Sequence, residues 1–568
     1  MINGMISNTG FVRIDSTTDS IAIGDKAGQL LDSDDGNNIA IGANALNSTT
    51  DTDGGADNNI AIGTDTLTDL TGGDHNIAIG LQAGRDITTG DQNIGIGSYS
   101  LYTADGGETG NIAIGYQAMK AADHDDVDFN IAIGLDAMAS ATNPGTYNIA
   151  IGREAMSAST MDARYAIGIG RSACKNLEED SSIGIGYLAL EDATSCIQTV
   201  MIGYEAGKQI TGGDYNTGLG SYALYTNIDG SNNTAIGYKS FYSFEADSAS
   251  HGHNTGVGKD SGYFCSTGTY NTFIGSLAGQ GVNDAGDGSD HLTGDLNTCV
   301  GYAAGKTLQG DADYNTLLGS QAGDEITTGD GNTCVGYTAG ESITTGSGNV
   351  IIGREAGDSI TSGSYNVAIG YKAGEISTSS HRSVAIGYYA GASSYAGSVE
   401  IGDYGGLKWC SKKFTMDTFT NVGDNIAASN VLFMIPQYGF LQRVVVTVIT
   451  ASGGTGEYNL SLGTAVESAG DAVAGRVEII GAGASDLTGC VSRTQATDAA
   501  GDTNVDIITA KQVHIFESNL AGGASAVDNN GAWMANDMYA YLCHANGSNA
   551  NNATNAEIQV VAQWWGQD

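Results

Sequence analysis

The sequence predicts an all-β protein: a parallel β-roll, or β-solenoid, of about 22 coils, followed by a C-terminal antiparallel β-sandwich of jelly-roll type. Three observations predict it. A five-residue phrase, Asn–Ile–Ala–Ile–Gly with conservative swaps, closes on 22 glycines from Gly24 to Gly402, most often 17 residues apart. Of 568 residues 85 are glycine and only 2 are proline, a balance that excludes collagen and disfavours helices. Past about residue 410 the phrase stops and longer alternating apolar stretches replace it.

The first 20 residues are too short for a domain and read as an attachment segment or an N-terminal cap. "MINGMISNTGFVRID" lacks a basic start and an apolar run, so no secretory signal is expected, and no stretch reaches the ~20 apolar residues of a membrane-spanning helix. Synthesis in a cytoplasm is the expectation.

Residues 21–410 form the repeat segment. Clean copies read "NIAIGLQAGRDITTGDQ" (76–92) and "NVAIGYKAGEISTSSHRS" (366–383). Period two in Ile-Ala-Ile marks a short strand, and the glycine after it permits a bend. The following x-x-Ala-Gly reads as a second short extended piece, and "ITTGD" as a turn. Steps between phrases range from 15 to 26 residues, with the extra residues always between phrases, as in "GVNDAGDGSDHLTGDLN" (281–297). Insertions at one place in a repeat are loops on one face of a solenoid.

Within the phrase, the fourth residue is always Ile, Val or Leu, which predicts the coil's own core. The second residue shares that face, because strand side chains alternate. The third, expected to point outward, is small or apolar: Ala78, Gly95, Gly218, Cys299, Leu317 and Cys334. An outward face without charge predicts other chains packed on it, and threefold symmetry suits a coil stack around a central axis. These six residues are therefore the candidate interface of a homotrimer.

Residues 411–568 carry about eight strand-like stretches, among them "QRVVVTVIT" (442–450) and "AEIQVVAQWW" (556–565), separated by Gly, Asn, Asp and Ser. They read as the sandwich domain. Trp533, Tyr539, Tyr541 and His544 are its candidate receptor contacts, Trp533 because it lies in the glycine-rich loop "NNGAWMAND" (529–537).

A formal charge of −42 disfavours nucleic acid and anionic membranes as partners. "DSDDGNN" (32–38) and "DTDGGADNN" (51–59) place Asp51, Asp53 and Asp57 as candidate calcium ligands, although solvated acidic loops are the plainer reading and no EF-hand spacing is present. No other cofactor is expected. The eight cysteines form no CxxC pair and read as buried thiols. Tyrosines directly follow the phrase glycine at Tyr116, Tyr187, Tyr204, Tyr238, Tyr302, Tyr337, Tyr371 and Tyr388, where stacking on one another is the plainer reading and stacking on sugars the sharper one. The sequence carries no Gly-x-Ser-x-Gly, HExxH or phosphate-binding loop, so no enzyme activity is expected.

"RSVAIGYYAGASS" (382–394) and "NVAIGYKAG" (366–374) resemble the repeats of the trimeric autotransporter adhesins, whose heads are left-handed parallel β-rolls, and related repeats occur in phage tail fibres. The resemblance covers roughly residues 20–402 and implies a left-handed, trimeric, adhesive rod. The 17-residue step is longer than in the tightest heads of that family, and "VVAQWWGQD" at the C-terminus does not resemble its coiled coil and membrane barrel. The expectation is thus a fibre of a virus particle, on phage tail or capsid, assembled in the host cytoplasm. It would be joined to baseplate or capsid by its N-terminus and present the C-terminal domain to a host-surface glycan or protein. The alternatives are a cell-surface bacterial adhesin and a tailspike that degrades surface polysaccharide.

Overall fold

Each phrase of the repeat forms a three-residue strand that pairs in parallel, and in register, with the equivalent strand of the next copy: Ile60 faces Ile77, Ala61 faces Ala78 and Ile62 faces Ile79. The same pairing runs without a break from Ser20–Ile23 to Thr298–Val300, and again from Thr316–Leu318 to Val399–Ile401. The fold is a parallel β-solenoid, with no helix among the described residues. A computed structural model describes residues 4–5, 11–15, 19–29, 36–47 and 55–402, apart from 125–126, 142, 160, 245–251, 284–290, 375–377, 380 and 392–398. Beyond 402 it describes the backbone of the strands alone. Two compact units divide the chain, Met1–Ala312 and Asp313–Asp568.

The inward and outward faces of the strand are the reverse of the expectation. Ala78, Cys299, Leu317 and Cys334 lie inside the coil of their own chain, with 2% or less of their surface exposed, while Ile77 and Ile79 are half-buried on the outside. Gly95 and Gly218 also face inward. A methyl group on Gly95 would meet Ser100 Oγ at 3.1 Å, and one on Gly218 would run into Met201 Sδ. These six residues therefore touch their own chain, and none of them faces a neighbouring one. The physical reason is the thinness of the coil. The opposite wall fills the interior with Leu67, Ile87, Leu101, Met119 and Met138, all fully buried, which leaves the strand room for little more than alanine. Where the strand contributes Phe273, the strand before it contributes Gly256, and a methyl there would collide with the Phe241 ring. The last coil places Glu400 inward, where it accepts the Gly391 N–H at 3.2 Å.

The phrase glycine turns the corner. Gly80 has φ +141°, and a methyl on it would lie 2.5 Å from the Gly97 carbonyl oxygen of the next coil. The glycines thus stack carbonyl over Cα along the axis, which no other residue permits.

The stretch after the glycine is not a second strand. Gln82 and Gly84 have φ of 55° and 56°, and Tyr99 and Leu101, their equivalents one coil on, have 64° and 49°. The alternation aims successive backbone donors in opposite directions along the axis. Gln82 N–H donates back to Thr64 O at 2.9 Å, and Gly84 N–H donates forward to Ser100 O at 2.8 Å. Left-handed conformation costs an ordinary residue roughly 1–2 kcal/mol, offset here by an inter-coil bond at each such position.

The phrase asparagine points inward and is almost fully buried. Asn76 N–H donates to Asn59 Oδ1 at 2.8 Å, Asn76 Nδ2 donates to Gly90 O at 2.8 Å, and Asn76 Oδ1 accepts the Asn93 N–H at 2.9 Å. The pattern repeats through Asn111, Asn130 and Asn148, and again from Asn216 to Asn297. At Ser182 and Thr199 a hydroxyl takes over, accepting the N–H of the following coil's residue at 3.3 and 3.4 Å.

At the N-terminal end Phe11–Asp15 pairs antiparallel with Ser20–Ile23, and Gly4–Met5 pairs antiparallel with Phe11–Asp15. After the coils of the second unit, Val399–Ile401 pairs antiparallel with Leu407–Thr415. That strand pairs with Glu557–Trp565, followed by Phe440–Thr450, Val513–Ser518 and Cys490–Ser492, all antiparallel. A separate antiparallel sheet holds Val431–Ile435, Met538–Ala545, Asn459–Ala465 and Val477–Ile480.

Candidate binding surfaces

The outer side of the strand carries the second and fourth residues of each phrase, flanked by the residue before the asparagine and the residue after the glycine. In one coil these are Ile77 and Ile79, with His75 and Leu81 beside them. Every second and fourth residue of the phrase is uncharged, from Ile21 and Ile23 to Val399 and Ile401. Thr217, Thr234, Thr255, Thr272 and Thr298 replace the second residue in the later coils of the first unit. Leu219 and Leu318 are each 47% exposed, Ile274 40%. A protein with 64 acidic residues thus keeps the two outward positions of every phrase strand free of charge, with Arg153, Arg171 and Lys259 among the residues that flank them.

Acidic residues instead line the turn before the asparagine, where they hold coils together. Asp57 accepts the Gly36 N–H, Asp74 accepts the Asp57 N–H at 2.7 Å, and Asp91 accepts the Asp74 N–H at 2.7 Å. Asp128, Asp180 and Asp214 do the same for Thr109, Arg164 and Ile197. Asp57, one of the calcium candidates, is therefore one step of a structural ladder. Asp51 and Asp53 lie outside the described residues. No group of three or more metal-ligating side chains occurs among the described residues.

One buried carboxyl stands apart. Glu108 is 1% exposed; Oε1 accepts the Gly106 N–H at 3.2 Å, whereas Oε2 has no hydrogen-bond partner among the described residues. Burial pushes its pKa above the usual glutamate range. Cys174, Cys196, Cys265 and Cys334 are free and buried, and Cys299 is buried too. Burial raises the Cys196 thiol to about 11 and the Cys265 and Cys334 thiols to about 12, so these remain protonated and act as small apolar side chains.

The tyrosines after the phrase glycine stand on the outside: Tyr116 is 48% exposed, Tyr204 44% and Tyr238 45%. A second aromatic column, before the asparagine, escaped the sequence reading although "TYN", "DYN" and "SYN" spell it out. Tyr147, Tyr165, Tyr215, Tyr270, Tyr314 and Tyr365 are each at least half exposed. Phe129, Tyr147 and Tyr165 stack face to face on successive coils, with centroids 5.3 and 5.4 Å apart. A third arrangement brings tyrosines together at a corner: Tyr99 meets Tyr102 and Tyr116, and Tyr222 meets Tyr225 and Tyr238, edge to face in every case.

The remaining candidates lie at the C-terminus. Tyr539, Tyr541 and His544 fall within the strand Met538–Ala545, described as backbone only, and Trp533 lies outside the described residues. Compared with models of known protein families, with characterised proteins and with solved structures, the chain finds no match in any of the three.

Proposed function

We propose that this chain is a structural fibre of a virus particle, a phage tail or capsid fibre. Its coils form the shaft of a homotrimer and its C-terminal residues, arranged as a β-sandwich, meet a host-surface glycan or protein. The observation that carries this reading is the uncharged outer strand face. In the first unit it runs through fifteen inter-strand steps, about 70 Å by ~10 Å at ordinary strand spacings, on the order of 700 Å². The largest apolar patch on a typical monomer covers about 300–600 Å², whereas a standard interface buries ~800 Å² on each partner. The face repeats Ile, Val, Leu or Thr from coil to coil, so the partner it matches best is another copy of itself. Identical chains around one axis would cover it and leave the acidic turns in water. Three tips on one fibre would then turn weak single contacts into avidity.

Sedimentation of the full-length chain tests the assembly. A trimer is expected, and the triple variant Leu219→Lys, Ile236→Lys, Ile274→Lys, which changes only outward side chains, should sediment as a folded monomer. A wild-type chain that sediments as a folded monomer removes the basis for the fibre reading.

A further inference from the structure

The phrase "GSYSLYT" (97–103) returns as "GSYALYT" (220–226), seven strands later. The structure shows what the repetition preserves. Tyr99 meets Tyr102 with ring centroids 5.7 Å apart at 62°, and Tyr222 meets Tyr225 at 5.7 Å and 65°. Each central ring also meets the tyrosine that follows the next phrase glycine. Tyr99 lies 6.0 Å from Tyr116 at 83°, and Tyr222 lies 6.3 Å from Tyr238 at 84°. The same three-ring arrangement thus recurs on one side of the first unit, seven steps or about 34 Å along; at the second corner Tyr222 also meets Tyr204 at 5.2 Å and Tyr242 at 6.0 Å.

The fold does not demand these rings. One coil before each corner the same two places hold Gln82 with Arg85, and Glu205 with Lys208; one coil after the first corner they hold Gln117 with Lys120. The coil closes equally well around them, because its interior is filled by the residues in between, Leu101 and Leu224 among them, both buried. The contacts within each corner differ from the Phe129–Tyr147–Tyr165 stack, whose rings lie within 8° of parallel and cover one another, although Tyr225 of the second corner also stacks on Tyr242, 5.1 Å away at 6°. The corner rings meet edge to face at 62–84°, and Tyr116 and Tyr238 keep nearly half their surface open.

At each corner a cation lies over ring faces. The Arg85 guanidinium lies 4.1 Å from the Tyr102 centroid, hydrogen-bonds its hydroxyl and pairs with Asp86. Lys239 Nζ lies 5.9 and 5.5 Å from the Tyr222 and Tyr238 centroids, and 4.9 and 5.3 Å from those of Tyr242 and Tyr263. These charges are engaged with rings and carboxylate, so the corners present no bare cation, and the most open ring surface is that of Tyr116 and Tyr238.

We propose that the Tyr99–Tyr102–Tyr116 and Tyr222–Tyr225–Tyr238 corners are twin saccharide-binding subsites on the coil surface, which together grip one neutral polysaccharide chain. A sugar ring offers a C–H face to stack on a tyrosine and hydroxyls to bond its O–H, the two contacts an amphipathic aromatic side chain supplies. Neutrality follows from the formal charge of −42, which repels polyanions. The site lies on the coils and does not depend on the fibre assignment or on the C-terminal strands.

Affinity electrophoresis of the full chain in gels containing dextran, yeast mannan, xylan or galactan, with alginate as the acidic arm, tests this. At least one neutral polymer should retard the protein. Tyr99→Gln or Tyr222→Gln, each placing the residue of Gln82 and Gln117 at the central ring, should weaken retardation by about 100-fold, because binding at two linked sites typically exceeds either alone by 10²–10⁴. The double variant should migrate as in a plain gel, with unchanged circular dichroism. No retardation by any neutral polymer, retardation by alginate alone, or variants that bind as tightly as the wild type would each overturn the proposal. All of these outcomes can be read whether the chain sediments as a trimer or as a monomer.

Discussion

Replacing Asn76 with alanine isolates what the buried asparagine ladder contributes. Asn76 is 1% exposed, and its side chain makes two bonds, accepting the Asn93 N–H at 2.9 Å and donating to Gly90 O at 2.8 Å. Alanine leaves both backbone groups buried without these partners. An unsatisfied buried polar group costs ~1–3 kcal/mol, so the pair predicts a loss of about 2–6 kcal/mol. Solenoid coils interact mainly with their neighbours, so the loss should be felt locally. Hydrogen exchange is the direct assay: the amides of Ile77, Asn93 and Ile94 should exchange at least ~30-fold faster for a loss of 2 kcal/mol, while those around Asn254 stay protected. Asn76→Ser should recover part of the loss, as Ser182 fills the equivalent place with a hydroxyl that accepts the Thr199 N–H. If Asn76→Ala shifts exchange by less than twofold, the ladder is dispensable and the energetic argument for it fails.

Two further outcomes follow from the same geometry. Gly80→Ala, at φ +141° and with 2.5 Å to the Gly97 oxygen, should destabilise the fold by ~3 kcal/mol or more in urea unfolding, counting backbone strain of order 1–3 kcal/mol and the displacement of the next coil. Gly107→Ala, with nothing within 4 Å, should change it by less than about 0.5 kcal/mol. Glu108 has a folded-state pKa raised by burial, so its protonated form is favoured in the fold; stability is full below the usual glutamate range near 4.3 and declines as pH rises through the folded value. Urea midpoints measured across that range should show this decline, and Glu108→Gln should flatten it and be the more stable protein at pH 7.

The repeat, the strand and its parallel stacking were legible in the sequence because they depend on period alone. The direction of the strand's faces was not. A fourth place that is always Ile, Val or Leu reads as core, since large apolar residues usually are; here the interior is too narrow for them, and Leu101, Met119 and Met138 on the far wall already fill it. The buried strand position is the alanine, whose size carried the signal. The second arc read as extended because x-x-Ala-Gly contains no turn residue at its first places, yet Gln82, Gln117 and Glu154 adopt φ of 55–59° there. Bonds to both neighbouring coils hold that conformation, and no local propensity reveals them. Asp two places before the asparagine reads as a turn residue, and the asparagine only as the head of the phrase. Both lock coil to coil, a role that shows only when copies are set one above another. Of the binding candidates, the tyrosines after the glycine were visible as a column, but their assembly into two matching corners required the positions of three rings from two coils.

The asparagine and aspartate ladders share a property with a wider consequence. Their bonds reach from one coil to the next, spanning 14 to 21 residues for Asn38, Asn59, Asn76, Asp57 and Asp74. No coil consults a distant part of the chain. Each needs only the one laid down before it as a mould and the one after it as a lid, so a nascent chain can set rung by rung in the order in which it is made. The same economy makes size a matter of copying: a duplicated or lost coil meets the same donors and acceptors above and below, and the molecule can lengthen or shorten by whole coils without a new fold.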